Sequence, residues 1–322
     1  MIVVTGALGF IGSCLVSQLN QEGHLRDLIV VDDFYKDWKE VNLDAKFIRD
    51  WIHRDLFLDF FRRIAPQVTF VYHLGARTDT AETDTAIFDQ LNVEYSKEIW
   101  NICSKHQIPL VYASSAATYG DGSLGYVDNH QQVADFQPLN AYGRSKNDFD
   151  RWALQQESAP PFWAGLKFFN VYGPNENHKN RMASVVFHAF HQIRQTGQMK
   201  LFRSHKEGIA DGHQQRDFVY VKDVVKVCYW LYQNQPESGL YNVGTGNART
   251  FLDLVGATFE AMNIPTAIQF VDTPEDIRGT YQYFTEAKID KILQAGYPTA
   301  FTSLEDGVKD YVQNYLKRGK YF

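Results

Sequence analysis

The sequence has few cysteines, no long apolar run and no excess of basic residues, and each lack excludes a class of protein. Its three cysteines, Cys14, Cys103 and Cys228, are far apart and form no C-x-x-C pair. They therefore indicate neither a disulfide framework nor a zinc site, and no metal site is predicted. The chain has no run of about 18 apolar residues, so no transmembrane helix is expected. The net charge of −6 argues against a nucleic-acid-binding surface.

The chain also lacks the positively charged N-terminal segment that opens a signal peptide. We therefore expect a cytoplasmic protein. Hydrophobic residues make up 44% and charged residues 22% of the sequence, which is typical of a globular protein. A length of 322 residues is enough for one large domain or two modest ones with a sizeable core.

Short continuous apolar runs alternate with amphipathic stretches, which is typical of parallel strands covered by helices on both faces. The predicted strands are residues 2–4, 28–31, 70–74, 110–114, 163–169, 218–221 and 240–243. The predicted helices are residues 13–22, 95–105, 140–155, 182–195, 224–234, 251–262 and 303–317. Segments 170–181 and 204–215, which are rich in polar residues and glycine, are predicted to be loops.

This alternation predicts an α/β fold with a Rossmann, doubly wound parallel sheet and a smaller mixed α/β lobe. We expect the Rossmann domain to comprise residues 1–169 with 214–246. The substrate-binding lobe would then comprise residues 170–213 with 247–322.

Three glycines, Gly6, Gly9 and Gly12, follow the first strand and open the first helix. Gly6 would permit a tight turn, Gly9 a close approach of the backbone to a pyrophosphate, and Gly12 close packing of helix on strand. The N-terminus of the helix would present N–H groups to the phosphates. Because the strand, glycines, helix and an acidic strand end occur in the expected order, the segment predicts a dinucleotide site.

Asp32 ends the second predicted strand, where an acidic residue commonly binds the adenosine ribose and repels a 2′-phosphate. That position favours NAD. Lys39 and Arg54 follow and could instead hold a 2′-phosphate, so the sequence leaves the choice between NAD and NADP open.

Tyr142 and Lys146 lie four residues apart in a predicted helix, which places them on one face. Lys146 could lower the pKa of Tyr142 and hold the nicotinamide ribose, and Tyr142 could take a proton from a substrate hydroxyl. The preceding strand ends at Ser114 and Ser115, and we favour Ser115 as the hydrogen-bond partner of the reacting oxygen.

Taken together, these motifs resemble those of the extended short-chain dehydrogenase/reductase family. The matching positions are Thr5-Gly6, Gly9, Gly12, Leu74-Gly75-Ala76, Asn92, Tyr112-Ala113-Ser114-Ser115, Tyr142, Lys146, residues 169–174 and residues 216–223. Within the family the chain is similar to the branch that acts on ADP-linked heptoses. The distinctive stretches are residues 114–120, His178-Lys179, residues 182–188, and Gly279 with Tyr281, Gln282, Phe284 and Thr285.

The resemblance implies an isomerase that binds one NADP tightly per subunit, with NAD as a possible replacement. It implies transient oxidation of the heptose at C6 and return of the same hydride to the other face of the ketone. Such an epimerase would invert ADP-D-glycero-D-manno-heptose to its L-glycero form for lipopolysaccharide inner-core precursors, and it would form a homo-oligomer. The resemblance gives Tyr142 one acid/base role and Lys179 the second. One departure is Asp33, which stands where the family commonly has asparagine.

Site residues follow from the motifs and the resemblance together. The predicted catalytic residues are Ser115, Tyr142, Lys146 and Lys179. The predicted cofactor-binding residues are Gly6, Gly9, Phe10, Ile11, Gly12, Asp32, Asp33, Lys39, Arg54, Leu74, Gly75, Ala76, Arg77, Thr78, Asn92, Tyr142, Lys146, Val171 and Lys179. The predicted substrate-binding residues are Ser115, Asn170, Arg181, His188, Phe202, Arg203, Ser204, His205, Arg216 and Tyr281. Arg216 suits a diphosphate because its planar guanidinium donates two parallel hydrogen bonds.

Two other functions fit parts of the sequence. A nucleotide-sugar 4-epimerase or 4,6-dehydratase would use the same fold, but a dehydratase usually has an acidic pair where this chain has Ala116, Ala117 and Thr118. A non-catalytic NAD(P)-binding protein would need the glycines but not Ser115, Tyr142 and Lys146 together.

Overall fold

A computed structural model describes residues 1–34, 37–80, 82, 84–278 and 281–322, without the side chains of residues 37, 276 and 277. Gly279, part of one predicted motif, lies outside the described residues. The strands are β1 Ile2–Thr5, β2 Leu28–Asp32, β3 Asp50–His53, β4 Phe70–His73, β5 Leu110–Ser115, β6 Trp163–Phe168, β7 Asn170–Tyr172, β8 Met199–Phe202, β9 Gln215–Arg216, β10 Phe218–Tyr220, β11 Gly239–Val243, β12 Arg249–Thr250 and β13 Ile268–Val271.

The helices are α1 Phe10–Gln21, α2 Asp37–Glu40, α3 Arg54–Ile64, α4 Thr85–Phe88, α5 Tyr95–His106, α6 Ala141–Leu154, α7 Val185–Thr196, α8 Val221–Asn234, α9 Phe251–Met262, α10 Glu275–Arg278, α11 Asp290–Gln294 and α12 Leu304–Asp310. Short 3-10 and π-helical turns join several of them. They are Val41–Leu43, Ala65–Gln67, Asp89–Glu94, Ala116–Tyr119, His130–Gln132, Asn177–Met182, Tyr311–Tyr315 and Leu316–Arg318.

Seven parallel strands form the central sheet in the order β11-β6-β5-β4-β1-β2-β3. The order reverses between β1 and β4, because the chain winds first to one side of β1 and then to the other. Ligands of doubly wound sheets bind outside the carboxyl ends of the strands at this switch point. The predicted Rossmann fold is confirmed.

The sheet is buried on both faces, and its side chains alternate between two apolar clusters. Ile2 and Val4 pack in one cluster together with α1 and α8, whereas Val3 packs in the other, against α3 and α5. Both clusters consist largely of fully buried branched and aromatic side chains. This two-sided burial explains why the strands appear in the sequence as continuous apolar runs.

The later part of the chain forms smaller elements beside the carboxyl ends of the sheet. β7 pairs with β10, β9 with β12, and β8 with β13. Helices α7 and α9 pack against each other, and α12 packs on α9. The predicted division into two domains stays a prediction. Among the described helices, none is both long and apolar enough to cross a membrane.

The structure differs from the sequence prediction mainly in segments that are rich in polar residues. The predicted loop 170–181 begins with strand β7. The sequence does not predict this strand, because its first residue, Asn170, is polar and exposed. Helix α7 begins at Val185 rather than at Met182, because Ser184 caps it by accepting a hydrogen bond from the N–H of Phe187. The predicted helix 303–317 is α-helical only to Asp310 and continues as a π-helix. The strand β3 and helix α3 were missed, because β3 is a half-exposed edge strand.

Candidate active site

A cavity of about 890 Å³ lies at the carboxyl ends of the central strands. It extends from the end of β2 across the glycine-containing turn to helix α6. The predicted residues that line it are Gly6, Gly9, Phe10, Ile11, Gly12, Asp32, Asp33, Lys39, Arg54, Leu74, Gly75, Ala76, Arg77, Thr78, Ser115, Tyr142, Lys146, Val171, Lys179 and Arg181. The structure therefore brings most of the predicted cofactor residues and all four predicted catalytic residues to one cavity.

The turn from β1 to α1 requires glycine at two positions. Gly6 has a φ of +69°, and a Cβ there would lie 2.6 Å from the backbone of Gly75. A Cβ on Gly12 would lie 2.1 Å from the carbonyl oxygen of Gly6. Glycine at these two positions therefore lets the start of α1 lie close to the strands. The first turn of α1, whose N-cap is Gly9, thus faces the cavity with the N–H groups that have no partner within the helix.

Asp32 and Asp33 occupy the cavity end that is farthest from helix α6. The Asp32 carboxylate accepts hydrogen bonds from the N–H groups of Leu8 at 2.9 Å and Asp33 at 2.8 Å. The Asp33 carboxylate lies 3.7 Å from the guanidinium of Arg54 and 3.4 Å from Nε2 of His53. Asp32 therefore stabilises the glycine-containing turn, while basic side chains surround Asp33.

Ser115 and Ser114, which the sequence left as competitors, lie in different surroundings. The hydroxyl of Ser114 is buried and donates to Asp150 at 2.6 Å, although Ser114 also borders the cavity. Ser115 has a side-chain hydrogen bond with Tyr142, and its oxygen also accepts from the N–H of Ala117 at 3.1 Å. This geometry favours Ser115 as the partner of the reacting oxygen.

Tyr142 and Lys146 both line the cavity, and burial shifts the pKa of each of them. Burial raises the pKa of Tyr142, and the hydrogen bond from Ser115 only partly opposes this. Lys146 donates to the carbonyl oxygen of Ala113 at 2.8 Å, and burial lowers its pKa to about 8 against the opposing effect of Asp150. Burial is therefore the largest effect on the pKa of Tyr142, and the expected lowering of that pKa by Lys146 stays a prediction.

Lys179 enters the cavity from the loop after β7. Its ammonium lies 5.0 Å from the centroid of the Phe10 ring, within cation–π distance. Burial lowers the pKa of Lys179, and the nearby Glu176 opposes that shift. The preceding His178 contacts the side-chain amide of Asn42 at 3.0 Å, and burial lowers its pKa to about 4. Lys179 thus lies in surroundings that suit proton transfer by its amine.

Two loops that line the cavity are joined by an ion pair. Arg181 donates to both carboxylate oxygens of Asp79, at 3.0 and 3.2 Å. Arg77, on the same loop as Asp79, donates to Glu82 at 2.9 Å. Asn92, which the sequence assigns to the cofactor, lies buried behind this loop and exchanges hydrogen bonds with the backbone of Arg77 at 2.8 and 2.9 Å. Its side chain therefore supports the wall of the cavity rather than lining it.

Arg216, Tyr281 and Phe202 form a second cluster, apart from the residues that line the cavity. The Arg216 guanidinium lies 5.5 Å from the Tyr281 ring centroid, and the Tyr281 and Phe202 rings are 6.5 Å apart. Arg216 also donates to the carbonyl oxygens of Gln215 and Gln282. These three predicted substrate residues are therefore together, although they come from distant parts of the sequence.

The other predicted substrate residues are more scattered. Asn170 is exposed at the start of β7 and accepts from Thr285 at 3.4 Å, whereas His188 lies half-buried on α7. Arg203 pairs with Asp211 at 3.0 Å. Ser204 accepts from Lys206, and His205 accepts from the N–H of Thr273 at 3.4 Å. The contacts of Arg203, Ser204 and His205 are therefore with the 202–211 loop and its neighbours, and they do not converge on one ligand position.

The sequence analysis missed three charged residues beneath the site. Asp150 and Lys167 form an ion pair of 2.7 Å, and both side chains are fully buried. Asp150 lies four residues after Lys146, on the same helix face, and Lys167 interrupts an apolar strand, so both carried a usable signal. The third, Glu176, is also fully buried. Within the described part of the chain, no cluster of His, Cys, Asp and Glu could hold a metal ion.

Comparison with known proteins gives one family. Residues 2–244 match the model of the NAD dependent epimerase/dehydratase family. The chain is 47% identical to an ADP-L-glycero-D-manno-heptose-6-epimerase of Fusobacterium nucleatum, covering 99% of this chain and 98% of that one. It is 48% identical to the protein of the same name from Nitratidesulfovibrio vulgaris, with 98% of each chain covered.

Solved structures agree with this fold. The crystal structure of Helicobacter pylori ADP-L-glycero-D-manno-heptose-6-epimerase is 27% identical, with a TM-score of 0.82, and the match covers 97% of this chain and 95% of that one. The UDP-glucose 4-epimerase of Thermus thermophilus has a TM-score of 0.77 at 24% identity, with 98% of each chain covered, and supports the fold alone.

Proposed function

The chain belongs to the NAD dependent epimerase/dehydratase family, and we propose that it inverts C6 of ADP-D-glycero-D-manno-heptose to give the L-glycero form. The observation that carries this proposal is the presence of two proton-transferring groups, Tyr142 and Lys179, from separate elements in one cavity. A reaction that removes and restores hydrogen on opposite faces of one carbon can use a separate acid/base for each of its two proton transfers. A simple dehydrogenase needs only one.

The cavity fits a dinucleotide along its whole length. The glycine-containing turn would hold the pyrophosphate, Asp32 the adenosine ribose, and Lys146 the nicotinamide ribose. A Cβ at Gly6 or Gly12 would collide with the neighbouring backbone, so glycine at these positions allows the close packing of the turn, the strands and the start of α1. A bound nicotinamide supplies the acceptor and later donor of the hydride.

Ser115, Tyr142 and Lys179 perform the proton transfers in this proposal. Because burial raises the pKa of Tyr142, its hydroxyl stays protonated and can donate a proton to a C6 ketone oxygen. Ser115 holds the tyrosine by a hydrogen bond and can bind the same oxygen. Lys179 has a lowered pKa, so a neutral amine is accessible to take the hydroxyl proton from the other side.

We propose NADP rather than NAD as the cofactor. Arg54 lies near Asp33 and Lys39 lines the same end of the cavity, so two cations would face a 2′-phosphate. Pairing with Arg54 also offsets the charge with which Asp33 would repel that phosphate.

Arg216, Tyr281 and Phe202 would bind the nucleotide part of the substrate. The guanidinium suits a diphosphate, and the two rings offer faces to a base or sugar. We further propose that the enzyme acts in the cytoplasm as a homo-oligomer in lipopolysaccharide inner-core precursor synthesis.

The test is incubation of the purified enzyme with ADP-D-glycero-D-manno-heptose, with NMR as the readout of C6 stereochemistry. We expect conversion to the L-glycero epimer without net formation of reduced cofactor. Tyr142→Phe is the control, and it should retain cofactor but lose turnover by orders of magnitude. Stoichiometric cofactor reduction would indicate a dehydrogenase, and conversion of UDP-hexoses alone in a parallel panel would indicate a 4-epimerase. Cofactor binding without turnover of any sugar would indicate a non-catalytic protein.

A further inference from the structure

Glu176 is a buried carboxylate for which the sequence gives no role. Its Oε1 accepts from the Ser184 hydroxyl at 2.6 Å and from the N–H of Gly173 at 3.5 Å, and its Oε2 accepts from the N–H of Ser184 at 2.5 Å. The Ser184 hydroxyl itself accepts from the N–H of Phe187, so its proton points to Glu176. A protonated carboxyl group would need an acceptor for its own proton, and these three donors offer none. The hydrogen bonds therefore favour the carboxylate, while burial raises the pKa of Glu176.

These hydrogen bonds close the loop that carries Lys179. Gly173 precedes the loop and Ser184 follows it, so one side chain fastens both ends. The backbone carbonyl of Glu176 also accepts from the N–H of Lys179 at 2.9 Å. Because Ser184 is the N-cap of α7, the same carboxylate ties the loop to that helix. The position of Lys179 in the cavity thus depends on Glu176.

The charge of Glu176 also acts on Lys179. It raises the pKa of Lys179 against the lowering by burial. The neighbouring His178 faces Lys39 and Lys179, and its pKa of about 4 leaves it neutral at working pH. Facing Glu176 from other elements are Cys14 of α1 and Tyr311, and burial raises the pKa of both. Glu176 therefore favours the charged form of the Lys179 side chain.

We propose that Glu176 is a positioning residue that sets the place and the charge of the Lys179 side chain. The inference rests on the proposed function, in which Lys179 is the second acid/base. In this arrangement the carboxylate keeps the lysine loop closed and prevents burial from making the amine permanently neutral. Lys179 can then alternate between donating and accepting a proton.

The test is the pH dependence of Lys179 acetylation by a trace of acetic anhydride, measured on the full-length enzyme by peptide mass spectrometry. In Glu176→Gln the midpoint should move to lower pH by roughly one unit, because the ammonium loses its counter-charge. Ser184→Ala is the matched control, since it removes a hydrogen bond to the same carboxylate and keeps the charge. Its midpoint should equal that of the wild type. An unchanged midpoint in Glu176→Gln would overturn the proposal.

Epimerase assays separate this inference from the proposed function. The limb of the pH–rate profile that belongs to Lys179 should move with the acetylation midpoint. If Lys179→Met retains full turnover, the second-base assignment is wrong, whereas a labelling shift in Glu176→Gln would still support the pairing. Should Glu176→Gln fail to fold, Glu176→Asp keeps the charge on a shorter side chain. It should retain the wild-type midpoint and lose at least tenfold in turnover, and full turnover in this variant would contradict the positioning role.

Discussion

The carboxylate of Asp150 and the ammonium of Lys167 lie 2.7 Å apart with both side chains fully buried. Tyr112 and Ser114 donate to the same carboxylate, at 3.0 and 2.6 Å, and Lys167 donates to Thr118 at 2.7 Å. The ion pair therefore joins α6, which carries Tyr142 and Lys146, to β6, and the bonds from Tyr112 and Ser114 join α6 to β5, which carries Ser115. Together these contacts fix the relative positions of the catalytic residues.

Lys167→Met should destabilise the protein by about 3–5 kcal/mol, because it leaves a buried carboxylate without its cation. The free energy of unfolding in urea measures this. Lys97→Met is the matched control, since Lys97 pairs with Glu94 at a similar 2.7 Å but at the surface. It should cost about 0–1 kcal/mol. Equal losses in the two variants would show that burial of the Asp150–Lys167 pair has no energetic consequence.

Ser115→Ala and Ser114→Ala should have opposite effects although the residues are adjacent. Loss of the Ser115 hydroxyl should reduce kcat by roughly 10²–10³-fold with little change in stability, because it removes a hydrogen bond to Tyr142 and the reacting oxygen. Loss of the Ser114 hydroxyl should cost about 1–3 kcal/mol of stability, because Asp150 loses a buried donor. Turnover and urea unfolding of both variants provide the measurement, and a reversed pattern would exchange the two roles.

His73 should make the protein sensitive to acid. Its ring contacts the hydroxyls of Thr5 at 2.7 Å and Ser96 at 2.8 Å, and burial, followed by Lys146, lowers its pKa to about 3. The unfolded chain takes up this proton near pH 6.5 and the folded chain only near pH 3. Stability from this group is therefore complete above pH 6.5 and is lost as the pH falls towards 3, by at most about 1.4 kcal/mol per unit.

His73→Gln should accordingly flatten the loss of unfolding free energy between pH 6.5 and 3. The exposed His213 provides the control variant His213→Gln, which should leave the slope unchanged. Parallel curves for the wild type and His73→Gln would mean that His73 does not contribute to acid unfolding.

Arg54→Ala should weaken NADP binding by about 10- to 100-fold and leave NAD binding nearly unchanged, because only NADP carries the phosphate that the guanidinium would bind. Titration calorimetry with each cofactor measures the two dissociation constants. Arg49→Ala is the control, since Arg49 lies on the other side of β3 from Arg54 in sequence and pairs with Asp50 at 3.2 Å. Equal weakening for both cofactors would refute the phosphate contact.

The sequence was sufficient to predict the parts of the site that lie within one strand–turn–helix unit. Gly6, Gly12 and Asp32 follow directly from the order of strand, turn and helix, and Tyr142 and Lys146 from helical spacing. The Asp150–Lys167 pair and the cluster of Arg216, Tyr281 and Phe202 could not be predicted in the same way. Their members are brought together by tertiary packing, which leaves no fixed spacing in the chain.

The contacts of Lys146 show the same limit. Helical spacing correctly places Lys146 near Tyr142, but the direction of the Lys146 ammonium depends on the carbonyl of Ala113, on another element. The position of the lysine therefore follows from the sequence, whereas the hydrogen-bond partner of its ammonium does not.

The ion pair between Arg181 and Asp79 joins two loops that line the cavity, and the Arg181 side chain is 67% exposed. An ion pair between exposed side chains weakens as ionic strength rises, whereas buried hydrogen bonds do not. Any molecule enclosed beneath the two loops should therefore leave faster in concentrated salt, with the protein still folded. The dissociation rate of a bound molecule then depends on the ionic strength of the solution, independently of how tightly the cavity itself binds that molecule.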